Sequence, residues 1–224
     1  MRGKLIAIEA GDGSGKETQS NMLVGRLKAE GFDTRKVTFP DYDSQSSGLV
    51  KMYLRGDFGE KPDDVSPYPA STFYAVDRYA SYKTAWESFY LDGGIILADR
   101  YTTSNMVHQS VKIADELDQQ KYLDWLWDLE FVKLGLPVPD CVVFLDMPPA
   151  YSLQLMKDRL NKITGDSEKD IHERDKAYLE RVYKTSVLLA EKFGWLRIDC
   201  VDGGEIRTRD AIHNDVYKNI CSLL

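Results

Sequence analysis

Short apolar and β-branched runs recur along the chain at 4–9, 34–39, 94–98, 141–145 and 195–199. Longer segments with helical spacing separate them, at roughly 15–30, 44–55, 69–91, 102–116, 119–135, 149–162, 173–193 and 204–222. Runs that are apolar throughout suit strands buried on both faces of a parallel sheet. Alternation of strand and helix then implies right-handed βαβ units. The pattern predicts five parallel strands with helices on both sides. Gly31 is placed to end the first helix, and Pro149 suits the first turn of its own. The third and fourth runs end in acids, Asp99 and Asp146, where open α/β sheets form their ligand crevice. Residues 161–172 are polar and lie between two helical segments, which makes them a candidate lid. Repeats, low-complexity tracts and an interdomain linker are not evident.

A length of 224 residues fits one domain spanning 1–224. The net charge of −7 argues against a nonspecific nucleic-acid or membrane-surface binder. It leaves room for a local basic pocket. Met1 to Lys4 lead straight into a strand, with no apolar h-region, so no signal peptide is expected. A run long enough to span a membrane is also missing. Cys141, Cys200 and Cys221 are far apart in apolar contexts and read as reduced core residues. A cytoplasmic protein is expected.

Candidate chemistry begins at residues 10–18, Ala-Gly-Asp-Gly-Ser-Gly-Lys-Glu-Thr. A strand, a glycine-rich turn, a lysine and a helix in that order form a phosphate-binding loop. Gly11, Gly13 and Gly15 let backbone N–H groups curl around a phosphate. Asp12, Ser14, Glu17 and Thr18 complete the predicted ATP site, and Lys16 would reach the β- and γ-phosphates. Two positions depart from the strict pattern. Ala10 stands where glycine is usual, and Glu17 where a hydroxyl would help hold Mg²⁺.

Three further clusters follow: Phe39-Pro40-Asp41-Tyr42 after the second strand, Phe73 to Arg78, and Asp99-Arg100-Tyr101 with Ser104-Asn105. A transfer between two phosphate-bearing molecules would hold two anions end to end and need two phosphate sites. Arg100 can make the second, because a guanidinium forks onto phosphate. Asp99 suits Mg²⁺ or its water shell. Tyr74 and Arg78 are four apart on a predicted helix, hence on one face, where one can stack on a pyrimidine while the other bonds its carbonyl. His108 lies four residues after Ser104 and could wall a sugar pocket. His172 is expected to face solvent, Phe73 to pack inward, and Trp125 and Trp127 to serve packing or a dimer surface. Phe39-Pro40 is a candidate cis bond lining the site.

In order and spacing, these motifs resemble the thymidylate kinases over nearly the whole chain, and most of all the branch found in anaerobic Gram-positive bacteria. The resemblance implies a P-loop NTPase-type three-layer α/β sandwich with a short lid, phosphorylating dTMP to dTDP with ATP and Mg²⁺, and working as a homodimer. It assigns Tyr74 as the stacking aromatic and Arg78 as the base-reading arginine. It further gives Asn105 a base contact, Asp12 the sugar 3′-hydroxyl, and Tyr42 the acceptor phosphate or sugar. Phe39, Pro40, Ser104 and His108 would line the dTMP site. Phosphoryl transfer also needs a cationic side chain on the moving group, and the family carries that arginine in the loop or in the lid. Here the residue after Asp12 is Gly13. Arg159 is therefore the favoured candidate, with Lys162 in support, ahead of Lys169 and Arg174. Asp170 and Glu173 match a lid acid pair. Two alternatives stay open: a related kinase acting on another deoxynucleoside or its monophosphate, and a noncatalytic homologue, which Ala10 and Glu17 would fit.

Overall fold

The computed structural model describes residues 2–156 and 171–224. Its centre is a five-stranded, all-parallel sheet in the order β2-β3-β1-β4-β5. The strands are β1 (Lys4–Glu9), β2 (Thr34–Thr38), β3 (Ile95–Asp99), β4 (Cys141–Asp146) and β5 (Leu196–Asp199). Each falls within a residue or two of an apolar run. Alternation sends Ile6 and Ile8 to one face and Leu5 and Ala7 to the other. The first face packs on α1 (Lys16–Ala29) and α10 (Arg209–Ile220), through Leu23, Leu27, Val216 and Ile220. The second meets an aromatic layer of Tyr82, Trp86, Phe89 and Tyr90.

That aromatic layer belongs to a helical stretch read from sequence as one piece. It comprises α3 (Pro67–Ser81), a π-helical turn over Tyr82–Trp86, and α4 (Glu87–Leu91). The remaining helices are α2 (Gly48–Arg55), α5 (Thr102–Ser110), α6 (Glu116–Trp127), α7 (Pro149–Leu155), α8 (Ile171–Arg174) and α9 (Lys176–Lys192). A second π-helical turn, Asp128–Lys133, continues α6. Gly31 follows α1 with φ +91° and Pro149 opens α7, both as read from sequence.

Three expectations need correction. The stretch 204–222 is not helical at its start. Val201–Asp202 (β6) and Glu205–Ile206 (β7) form an antiparallel hairpin, and its turn is Gly203-Gly204, both at positive φ. Helix α10 starts only after Thr208, whose hydroxyl accepts from the Ala211 N–H. The helix at 102–116 stops at Ser110, and Asp115 caps α6 by accepting from the Asp118 N–H. Cys200 is buried, but Cys221 is exposed after α10 and is no core residue. Among the described residues, no helix is long and apolar enough to cross a membrane.

Candidate active site

The carboxyl ends of β1 and β3 meet the start of α1, and the predicted site residues converge there. The loop after β1 wraps around its own lysine. Lys16 Nζ donates to the carbonyls of Ala10 (2.9 Å) and Gly11 (2.7 Å), and Ser14 Oγ donates to Gly11 O at 2.6 Å. Gly13 and Gly15 have φ of +73° and +86°, which L side chains rarely adopt. A Cβ at Gly13 would also sit 2.3 Å from Met156 Cγ and 2.8 Å from the Ser152 carbonyl oxygen. Ala10 is not among the positive-φ residues, which explains why alanine is tolerated where the strict pattern has glycine. Glu17 is exposed on the first turn of α1, at the rim of the cleft. Burial pushes the Lys16 pKa down, and Arg100 pushes it further, to about 8.

Arg100 follows β3 with φ +68°, the one non-glycine residue at positive φ among those described. Such a conformation costs on the order of 1–3 kcal/mol and persists where surrounding contacts over-determine it. Here its N–H donates to Ile8 O at 3.0 Å. Its guanidinium donates to Asp12 Oδ1 (2.6 Å), Glu9 Oε1 (3.2 Å), Ser104 Oγ (3.1 Å) and His108 Nε2 (3.3 Å). Burial would raise the Asp12 pKa, but Arg100 and Lys16 outweigh it and hold the carboxyl well below the usual carboxylate range. Asp99 is buried at the end of β3, with Lys36 Nζ 3.7 Å away.

His108 and His172 stack at 5.6 Å with an interplanar angle of 8°. Arg100 can only donate, so His108 Nε2 accepts and the ring is neutral, with its proton on Nδ1 toward Tyr178 Oη at 3.3 Å. His172 does not face solvent as expected. It is buried, and its Nε2 pairs with Tyr53 Oη at 2.9 Å. The burying surface comes from α2 and α9, a long-range effect invisible in the local sequence. Burial, then Lys112, pushes the His172 pKa down to about 3.

Arg78 is buried and paired through Nε and NH2 with the Glu130 carboxylate, at 2.6 and 2.5 Å. Burial opposes the Arg78 charge, but Glu130 more than offsets it and raises the arginine above its ordinary value. Thr102 Oγ1 donates to the same carboxylate at 2.7 Å. Asn105 Nδ2 donates to Ser71 O (3.1 Å) and to Glu130 Oε1 (3.4 Å). Tyr74 is half-buried and meets Tyr53 edge-on at 6.4 Å. The Phe39–Pro40 bond is cis. Phe73 is only half-buried, against Phe58. Trp127 is exposed.

These groups line two connected cavities. One, about 550 Å³, runs from the phosphate loop to Arg207 and Arg209. The other, about 70 Å³, is walled by Tyr74, Arg78, Asn105, His108, Gln109 and His172. Asp12, Phe39, Pro40, Tyr42 and Arg100 line both, so the cavities meet at the Asp12–Arg100 pair. Among the described residues, no cluster of three or more acids, histidines or cysteines is arranged to cage a metal ion. Arg159, Lys162, Lys169 and Asp170, with most of the candidate lid, lie outside the described residues, as do the side chains of Glu173 and Arg174.

Three site residues escaped the sequence reading. Glu9, buried at the end of β1, accepts from Arg100, Thr103 Oγ1 (2.9 Å) and Ser104 Oγ (2.6 Å). It is an acid at a strand end, the signal already used for Asp99 and Asp146. Gln109 is buried with no hydrogen-bond partner for either amide atom among the described residues. It lies one helical turn past Asn105, hence on the same face. Such an orphaned group in a cavity wall calls for a ligand. Glu130 left no local signal, since an acid in a helical segment is ordinarily solvated.

A protein-family profile described as "Thymidylate kinase" matches residues 8–202. The thymidylate kinase of Mycobacterium tuberculosis is 29% identical over 192 residues, covering 85% of this chain and 87% of that protein. The thymidylate kinase of Exiguobacterium is 30% identical over 183 residues, covering 82% and 79%. The solved thymidylate kinase of Candida albicans shares the fold with a TM-score of 0.69 at 22% identity, covering 99% of this chain and 92% of that one.

Proposed function

The chain belongs to the thymidylate kinase family and is therefore a nucleoside monophosphate kinase that uses ATP to make dTDP from dTMP; from that premise we propose how its cleft divides the work. The larger cavity holds ATP. Lys16 exchanges its two carbonyl partners for β- and γ-phosphate oxygens, and the loop amides around Gly11 to Gly15 complete the cradle. The smaller cavity holds dTMP. Tyr74 stacks on the base, and Arg78, Asn105 and Gln109 meet its polar edge. Asp12 takes the sugar hydroxyl, His108 walls the sugar, and Arg100 clamps the acceptor phosphate. The observation that carries this reading is the meeting of the two cavities at Arg100 and Asp12.

Transfer is then in line. An oxygen of the dTMP phosphate bonds to the γ-phosphorus, the bond from that phosphorus to the β–γ bridging oxygen breaks, and ADP leaves. The protein's contribution is positioning and charge. A Mg²⁺ ion carried by ATP would neutralise phosphate charge. The oxygen donors present, Asp99 and Thr18, suit an ion that keeps most of its waters rather than one caged by protein. Arg159 supplies the charge on the moving phosphoryl group. The exposed Leu117, Trp127 and Val132 offer an apolar face for a homodimer. The cytoplasm is the compartment in which such an enzyme meets its substrates.

A coupled ADP-release assay over dTMP, dCMP, dGMP, dAMP and thymidine tests the assignment. Expected is fastest turnover with dTMP. Preference for a purine monophosphate, or for the unphosphorylated nucleoside, would overturn it.

A further inference from the structure

The network around Glu130 bears on which base the smaller cavity accepts, taking that cavity as the dTMP site. We propose that Glu130 is a positioning residue that writes the preference for thymine over cytosine, without touching either. It is fully buried behind the cavity wall. An ionised carboxylate accepts hydrogen bonds and donates none. Every group turned toward it must therefore present a donor, and four do: Arg78 Nε, Arg78 NH2, Thr102 Oγ1 and Asn105 Nδ2.

The consequence lies on the other side of those groups. Asn105 Nδ2 has two protons, one given to Glu130 and the other to Ser71 O. The amide is thus locked, and Oδ1, an acceptor, is what remains for a ligand. Arg78 gives Glu130 its Nε proton and one of the two on NH2, so NH1 and the second NH2 proton are left to donate. The wall offers an acceptor beside a donor. Thymine presents the complement, an N3–H donor flanked by carbonyl oxygens. Cytosine presents the inverse, an N3 acceptor beside an amino donor, and mismatches at both points. Among the described residues Gln109 has no partner fixing either amide atom, so it can turn to suit either base and discriminates little. Selection between two pyrimidines falls to the amide that cannot turn.

Glu130→Gln tests this. The new amide brings donors into a nest of donors, so Asn105 gains reason to flip and show Nδ2 to the base. Expected is a fall of about tenfold or more in the dTMP-to-dCMP ratio of kcat/KM. The dTMP-to-dUMP ratio should not move, because uracil and thymine share the same polar edge. The KM for ATP should also hold. Thr102→Val removes one donor to Glu130 while keeping the pattern, and should leave the pyrimidine ratio alone. An unchanged dTMP-to-dCMP ratio in a folded Glu130→Gln protein, or an equal fall in Thr102→Val, overturns the proposal. If Glu130→Gln does not fold, Asn105→Ala carries the test, since it deletes the locked acceptor with Glu130 intact. A retained ratio there overturns the proposal as well. A wild-type enzyme preferring a purine monophosphate would instead remove the underlying site assignment.

Discussion

The phosphate loop aims Lys16 with a single run, residues 10–18, whereas the acceptor pocket aims Arg78 with a carboxylate 52 positions away. In the loop the partners of Lys16 are the backbone carbonyls of Ala10 and Gly11. In the pocket the partner of Arg78 is the Glu130 side chain from the π-helical turn after α6, whose carboxylate also accepts from Thr102 and Asn105 of α5. The difference teaches where each region is vulnerable. A backbone cradle survives the loss of the side chain it holds. A buried network of side chains does not, because each member removed strands another.

The largest expected effect separates the two directly. Arg78→Ala leaves Glu130 buried and unpaired, which should destabilise the fold by about 3–5 kcal/mol. Lys16→Ala removes a cation that donates to backbone carbonyls, and should cost the fold less than Arg78→Ala does. Urea unfolding of both proteins checks this, and equal losses would break the contrast. The next effect concerns chemistry. Lys16→Ala should lower kcat by about 10²–10³-fold in a protein that still melts like wild type, since a charge aimed at the transition state is lost. Near wild-type turnover would remove Lys16 from the phosphate site.

A pH effect sharpens the comparison further. Lys16 sits at about 8 in the nucleotide-free protein, against 10.5 ordinarily. Triphosphate binding favours the charged form and raises that value. Nucleotide binding should therefore take up protons between pH 8 and 9, and affinity should fall as pH rises above about 8. Between pH 8 and 10.5 the unfolded chain binds more protons than the fold, so stability of the free protein should rise with pH over the same window. Arg78 is held above its ordinary value and stays charged throughout. Calorimetric titration in two buffers of different ionisation enthalpy measures the proton count. No uptake near pH 8 would mean that the phosphates do not reach Lys16. The smallest expected effect is at Glu17, an exposed acid on the first turn of α1, worth about 0.3–1 kcal/mol to that helix. Glu17→Ala should keep most activity when titrated against Mg²⁺. A collapse rescued by high Mg²⁺ would make Glu17 a direct ligand.

Legibility in the sequence follows the same divide. The five strands could be read because a parallel sheet buries both faces and leaves continuous apolar runs. The loop could be read because its parts are adjacent. Arg100, Tyr74, Arg78 and Asn105 were found through short spacings and through resemblance. Glu130 and His172 were not, because nothing near them in the chain marks them as buried. Their partners arrive from Arg78 and Tyr53, far away in sequence. Glu9, Gln109 and the Gly203-Gly204 hairpin turn differ in kind. Their signals are local: an acid at a strand end, an amide one helical turn past Asn105, and a Gly-Gly pair.

Gly13 carries one last implication, for anyone wishing to rebuild this enzyme. An arginine grafted after Asp12 would need a backbone angle of +73° and a Cβ overlapping both Met156 and the carbonyl of Ser152. The side chain of Met156 can move, but the α7 backbone cannot yield without shifting the helix. The loop is thus closed to transplantation. On the proposed reading, in which Arg159 meets the moving phosphoryl group, redesign of that charge would come by exchanging the segment after α7, as a cassette, while the nucleotide cradle stays untouched.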